Sequence, residues 1–75
     1  MKIVLVNKKE IKLYNGEFSY NPIVKFATQE FHLENNTIEL SFKDEEGDVI
    51  TVTSDDDLEI MKAVFQGKQY LRINV

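Results

Sequence analysis

The stretch KDEEGDVITVTSDDDLEIM, residues 43–61, holds eight carboxylates in two bursts: Asp44, Glu45, Glu46 and Asp48, then Asp55, Asp56, Asp57 and Glu59. No Lys or Arg lies between Asp44 and Glu59. Acids at this density could hold a cation, act as paired acid and base, cap a helix, or meet a basic surface. A calcium-binding EF-hand loop needs Gly at its sixth position and Glu at its twelfth. Counted from Asp44, Gly47 falls at four and Asp55 at twelve, so the pattern fails; loose divalent-ion binding stays open. Paired carboxylates also serve glycoside hydrolysis, but a chain of 75 residues offers no evident cleft for it. His32 has no second His or Cys to complete a metal site, and Ser19, Ser41 and Ser54 stand in no nucleophile motif. The expectation is a protein that is not an enzyme, with no metal and no cofactor.

Composition narrows the classes further. Seventy-five residues allow one core and one domain over residues 1–75. A hydrophobic share of 43% with 29% charged is that of a globular chain. With no Cys there is neither disulfide nor thiol chemistry, and no apolar run approaches the roughly 20 residues that cross a bilayer. The expected location is cytoplasmic, away from membranes, which makes the Asn35-Asn36-Thr37 sequon incidental. Charge is lopsided: residues 1–25 carry five bases against two acids, residues 26–75 four bases against eleven acids. Nucleic acid wants a continuous basic surface and is disfavoured. A basic partner, or one lopsided in the same way, is not.

The acids must be positioned by the elements around them. Lys2–Val6 is a β-branched run apolar on both faces, as in a central strand. Glu10–Asn15 alternates, with Ile11 and Leu13 on one face and Glu10, Lys12 and Tyr14 on the other; the short NKKE segment makes a hairpin of the two runs. The period then changes. Asn21 as N-cap and Pro22 at the first helical position open a helix with Ile23, Ala27 and Phe31 on its apolar face, flanked by Val24 and Phe26, and Asn35-Asn36 ends it. Thr37–Lys43 alternates with Ile38, Leu40 and Phe42 inward, Gly47 marks a turn, and Asp48–Thr53 is a fourth strand. Ser54 opens a second helix, its spacing to Asp57 resembling a capping box; Leu58, Met61 and Phe65 make the apolar face and Gly67 the stop. Gln69–Val75 is a last strand with Leu71, Ile73 and Val75 inward. The order is ββαββαβ. An α+β fold of two helices packed on a mixed five-stranded sheet, at this size and order, resembles the ubiquitin-like β-grasp.

Within that order the two bursts differ. Asp55, Asp56 and Asp57 fall in a helix's first turn, where the dipole stabilises acids by about 0.3–1 kcal/mol each. The DEEGD turn has no such reward. A strand of about six residues leads back from that turn to the helix start, so both bursts are expected at one corner. Their joint field costs stability until a basic group arrives.

The window Phe42–Leu58 resembles the acidic motif of the Phox-and-Bem-one (PB1) domain: aromatic, spaced acids around Gly, a short apolar strand, then Ser, three acids and Leu. Phe42, Asp44, Glu46, Gly47, Asp48, Ser54, Asp55, Asp56, Asp57 and Leu58 match in order and spacing, with Phe42 where Tyr is frequent. The resemblance implies a module, as in scaffold and signalling proteins, that binds the basic face of another PB1 domain front to back. Carried over, Asp44, Glu46, Asp48 and Asp57 are the main acidic contacts, with Asp55 and Asp56 in support; Glu45 and Glu59 are bystanders. Lys2, on the first strand, and Lys12, on the second, stand where basic-faced members carry their bases, which implies head-to-tail oligomers of the chain itself. The alternatives are an acidic face alone, on a domain monomeric by itself, and a ubiquitin-like domain docking through its sheet. A ubiquitin-like modifier would need a Gly-Gly tail, and RINV is not one.

Overall fold

The computed structural model describes residues 2–34 and 38–75. The elements run β1 (Lys2–Asn7), β2 (Glu10–Tyr14), α1 (Tyr20–Glu30), β3 (Leu40–Lys43), β4 (Val49–Val52), α2 (Asp55–Val64) and β5 (Tyr70–Asn74). Among the described residues the strands form one mixed sheet in the order β2-β1-β5-β3-β4. β1 runs parallel to β5 and antiparallel to β2, while β3 is antiparallel to both β4 and β5. This is the ubiquitin-like β-grasp, with β2 and β4 as its edges.

Register decides what the core contains. Ile3 pairs with Tyr14 and Leu71, and Leu5 with Ile73, so these side chains share one face with Leu40, Phe42 and Val52. Ile23, Ala27 and Phe31 of the α1 segment, with Leu58 and Met61 of α2, close over that face. The alternation expected in β2 holds, but its Tyr14 side turns to the core: Tyr14 is 6% exposed, Ile11 67% and Leu13 49%. The reason is pairing, since Ile11 and Leu13 lie beside Val6 and Val4 on the face the helices leave open. Tyr14 tolerates burial because its hydroxyl donates to the Glu17 carbonyl and its ring meets Phe26 edge-on at 5.1 Å.

Several boundaries move. α1 begins at Tyr20 with Ser19 as N-cap, so Asn21 and Pro22 are the second and third helical residues. Pro22 still loses nothing there, because the first N–H groups of a helix have no partner within it. Asn35-Asn36, expected to end the helix, lies outside the described residues; α1 stops earlier, at Glu30, through Phe31 and His32. His32 takes φ 56° and Leu33 N–H reaches the Thr28 carbonyl at 3.1 Å, a Schellman-type close. His32 therefore ends a helix. Replacing it with Gly should relieve the left-handed strain and raise stability by about 0.5 kcal/mol, net of the looser unfolded chain, in a denaturant melt. β3 begins at Leu40, so Ile38 and Glu39 of the expected run precede the strand, with Ile38 still packed against the core; β4 is the inner part, Val49–Val52, of its expected run, and Thr37 lies outside the described residues.

Candidate functional site

Five residues, 44–48, join Lys43 of β3 to Val49 of β4, which are register partners. Asp44 organises this turn. Its Oδ1 accepts the N–H groups of Glu46 and Asp48, both at 2.9 Å, while its backbone N–H donates to the Asp48 carbonyl at 3.0 Å and its carbonyl accepts from Gly47 at 3.1 Å. Gly47 has φ 85°, and nothing lies within 4 Å of where a Cβ would stand. Its glycine is needed for backbone conformation alone. Gly47→Ala should cost about 1–2 kcal/mol, read as a fall in the thermal midpoint. The turn leaves Glu46 and Asp48 exposed, and neither carboxylate has a hydrogen bond or ion pair among the described residues.

The second burst is tied down differently. Ser54 is the N-cap of α2, yet its hydroxyl caps nothing. The expected capping box is half formed and displaced: Asp57 Oδ2 accepts the backbone N–H of Thr53 at 2.8 Å and the Thr53 hydroxyl at 2.9 Å. These bonds, backbone first, hold the Asp57 carboxyl below its ordinary 3.8. A carboxyl depressed by folding stabilises above its unfolded pKa, and that contribution is lost as pH falls through the folded value. The Asp57 carboxylate should thus titrate below 3.8 by NMR, and Thr53→Val should move its midpoint back up. Asp55 reaches across to α1, where its Oδ1 accepts the Tyr20 N–H at 2.7 Å. An acid from one helix caps the other, whose own Ser19 gives no side-chain cap. Asp56 is exposed, with no partner among the described residues.

The bursts do not meet at one corner, as the sequence led us to expect. Asp44, Glu45 and Glu46 line a shallow depression with Ala63 and Val64, at the last turn of α2, whereas Asp55–Asp57 form its first turn. Six residues of helix lead from Asp57 to Ala63, a rise of about 9 Å along the axis. The acids instead make two clusters at opposite ends of one edge, the edge built by β4 and α2. Glu59 is exposed on α2 between them. None of Asp44, Glu46, Asp48, Asp55, Asp56 and Asp57 pairs with a Lys or Arg among the described residues.

Lys2 and Lys12 belong to β1 and β2, at the other side of the sheet from β4. The pleat separates them. Lys12 pairs with Leu5 and is half-buried on the helix side, while Lys2 pairs with Tyr70 and is exposed on the open face. Lys8 and Lys9 add two exposed cations at the hairpin tip between the strands. These two stand outside the Lys2 and Lys12 positions that the family resemblance points to, though the charge surplus of residues 1–25 includes them. Among the described residues no three His, Cys, Asp or Glu are gathered to hold a metal, and no helix is long and apolar enough to cross a membrane.

A small β-grasp domain with unpaired acids along one edge and bases along the other has the features of a docking module. The family is shown directly: the chain belongs to the PB1 domain family, whose model matches residues 6–75. PB1 domains are protein–protein interaction modules and not a family of enzymes. Lys2 precedes the matched stretch. Among solved structures, the chain is similar to the cryo-EM structure of the AtNBR1-PB1 filament (L-type), with a TM-score of 0.73, 19% identity, and 100% of this chain and 93% of that one covered. It is similar also to the AtNBR1-PB1 domain, with a TM-score of 0.71, 16% identity, and 99% and 92% covered. At such identities the likeness is one of fold. No curated protein matches the chain by sequence.

Proposed function

We propose that the chain joins PB1 domains front to back, its β4–α2 edge seated on the basic β1–β2 edge of another domain, and that it assembles with itself head to tail. The observation that carries this reading is the placement of unpaired acids and exposed bases on opposite edges of one sheet. Surfaces so arranged repeat heterologously, and a repeat that does not close grows into a filament. AtNBR1-PB1, of the same fold, forms one.

Within the acidic edge we assign direct contact to Glu46, Asp48 and Asp56, which no internal bond engages. Asp44, Asp55 and Asp57 add charge while holding the turn and the helix starts. One exposed ion pair contributes only about 0–1 kcal/mol. Several together, partly desolvated by docking, give specificity and fast association.

Light scattering of the native chain, of Lys2→Ala and of Glu46→Ala/Asp48→Ala tests the reading. Large assemblies that either change dissolves are expected. A native chain that neither assembles nor binds any basic-faced PB1 domain would end it. A second reading, docking through the open sheet face, draws on exposed Ile11, Leu13, Val49 and Tyr70. It would displace the first if Ile11→Lys dissolved the assemblies and the acidic changes did not.

A further inference from the structure

A cleft of about 660 Å³ lies where the α2–β5 connection folds beside the open sheet face. Its volume falls within the range of pockets that hold small ligands, about 300–1,000 Å³. Lys43, Lys68 and Arg72 line it together with Phe65, Tyr70 and Asn74, and no acid does. In a chain of net charge −4 this is a local reversal of sign.

The cations are held close with nothing to neutralise them. Ser41 pairs with Asn74 across β3 and β5, and Lys43 and Arg72, each two residues from that pair, both line the cleft. Like charges gathered on one sheet face repel and destabilise. The Arg72 Nε–H donates to Asn74 Oδ1 at 3.3 Å, which orients the guanidinium, and its terminal nitrogens have no partner among the described residues. One wall of the cleft is firm: Phe65 meets the buried Phe42 edge-on at 6.0 Å, and Lys68 N–H closes a turn onto the Phe65 carbonyl at 2.9 Å through Gly67 at φ 86°. Tyr70 lies 49% exposed beside it.

We propose that this cleft binds an acidic peptide segment carrying an aromatic side chain. A guanidinium takes a carboxylate through two parallel hydrogen bonds, and an ammonium takes one as a point charge. Phe65 and Tyr70 offer ring surface to the aromatic group. A polynucleotide fits less well, because Asp44, Glu45 and Glu46 begin one residue beyond Lys43 and would repel a phosphate chain leaving the cleft. This site is separate from the acidic edge and does not depend on the front-to-back reading.

The probe is a short fluorescein-capped peptide of Asp and Glu around one Phe, titrated into the chain by fluorescence anisotropy at low salt. Binding is expected, with a loss of about tenfold or more in Arg72→Gln/Lys43→Gln and no loss in Lys25→Gln, an exposed α1 base outside both the cleft and the basic edge. On the native chain, carbodiimide coupling should join peptide carboxylates to the Lys43 and Lys68 amines. Coupling at Lys2, Lys8, Lys9 or Lys12 instead would overturn the assignment, and it does so without any variant having to fold. Equal binding by the Asn/Gln form of the peptide, or tighter binding by oligouridylate, would overturn the acidic-peptide class. Peptide binding seen only once Glu46→Lys/Asp48→Lys blocks assembly would overturn the peptide as occupant, since the acids of a second copy would then fill the cleft.

Discussion

Glu46→Lys/Asp48→Lys should abolish front-to-back association while leaving the fold intact. Both carboxylates are exposed, and neither bonds to the rest of the described chain. Exposed substitutions of this kind change stability by about 0.5 kcal/mol at most, so the thermal midpoint should stay within about 4 °C. Removing like charge from a crowded turn acts, if anything, in the stabilising direction. Association should respond on another scale. Two attractive contacts become repulsive, and close charge pairs at docked surfaces couple by about 1.5 kcal/mol or more. The affinity for a basic PB1 face should therefore fall about 100-fold or more, measured by sedimentation or calorimetry. The contrast with Asp57→Ala is informative. Asp57 caps Thr53 at the start of α2, so its loss should lower stability and binding together. Salt offers an independent check. The Debye length shrinks from about 10 Å at 0.1 M to about 3 Å at 1 M, and the native assembly should dissolve across that range.

Phe42→Ala should bring the domain close to unfolding. Phe42 is fully buried and packs edge-on against Phe65 at 6.0 Å, joining β3 to the end of α2. Truncating a buried Phe costs about 3–5 kcal/mol, transfer and cavity together. A chain of this length has a total stability of about 4–11 kcal/mol at typical values per residue. The midpoint should accordingly fall by about 15 °C or more, or the cooperative melt should vanish. Phe42→Leu keeps most of the volume and should cost far less. Asp44 follows Phe42 by two residues and its turn shares a shallow depression with Ala63 and Val64 of α2, so binding through the acidic edge should disappear in step with folding. Loss of binding in a Phe42→Ala chain that melts like the native one would contradict this coupling.

What the sequence made legible, and what it did not, follows from the range of the forces involved. The strands and helices are written in local periodicity and in Gly47, Ser54 and Gly67, and the ββαββαβ order follows from them. The buried set Leu5, Ile23, Phe42, Leu58, Met61 and Ile73 was within reach for the same reason. The orientation of β2 was not. Its Ile11/Leu13 side looks like a core face by composition, but pairing of Tyr14 with Ile3 turns it outward, and pairing is not a local property. The first residue of α1 was misplaced because its cap comes from Asp55, 35 residues along the chain. The acids themselves stood out as two bursts. Their division into carboxylates free of internal bonds and carboxylates engaged by the turn and caps did not, since backbone N–H groups decide it. The cleft of Lys43, Lys68 and Arg72 draws on three elements and left no pattern in the sequence beyond isolated bases.

Front-to-back assembly requires two different edges to meet. Two variants put it to a direct test: one with the acidic edge reversed, Glu46→Lys/Asp48→Lys, and one with the basic edge neutralised, Lys2→Ala/Lys12→Ala. By analytical ultracentrifugation each alone should be monomeric, since each lacks half of the contact. Mixed in equal amounts, they should form a one-to-one complex and nothing larger, because only one intact acidic edge and one intact basic edge remain. A mixture that stays monomeric, or single variants that assemble as the native chain does, would contradict the front-to-back account.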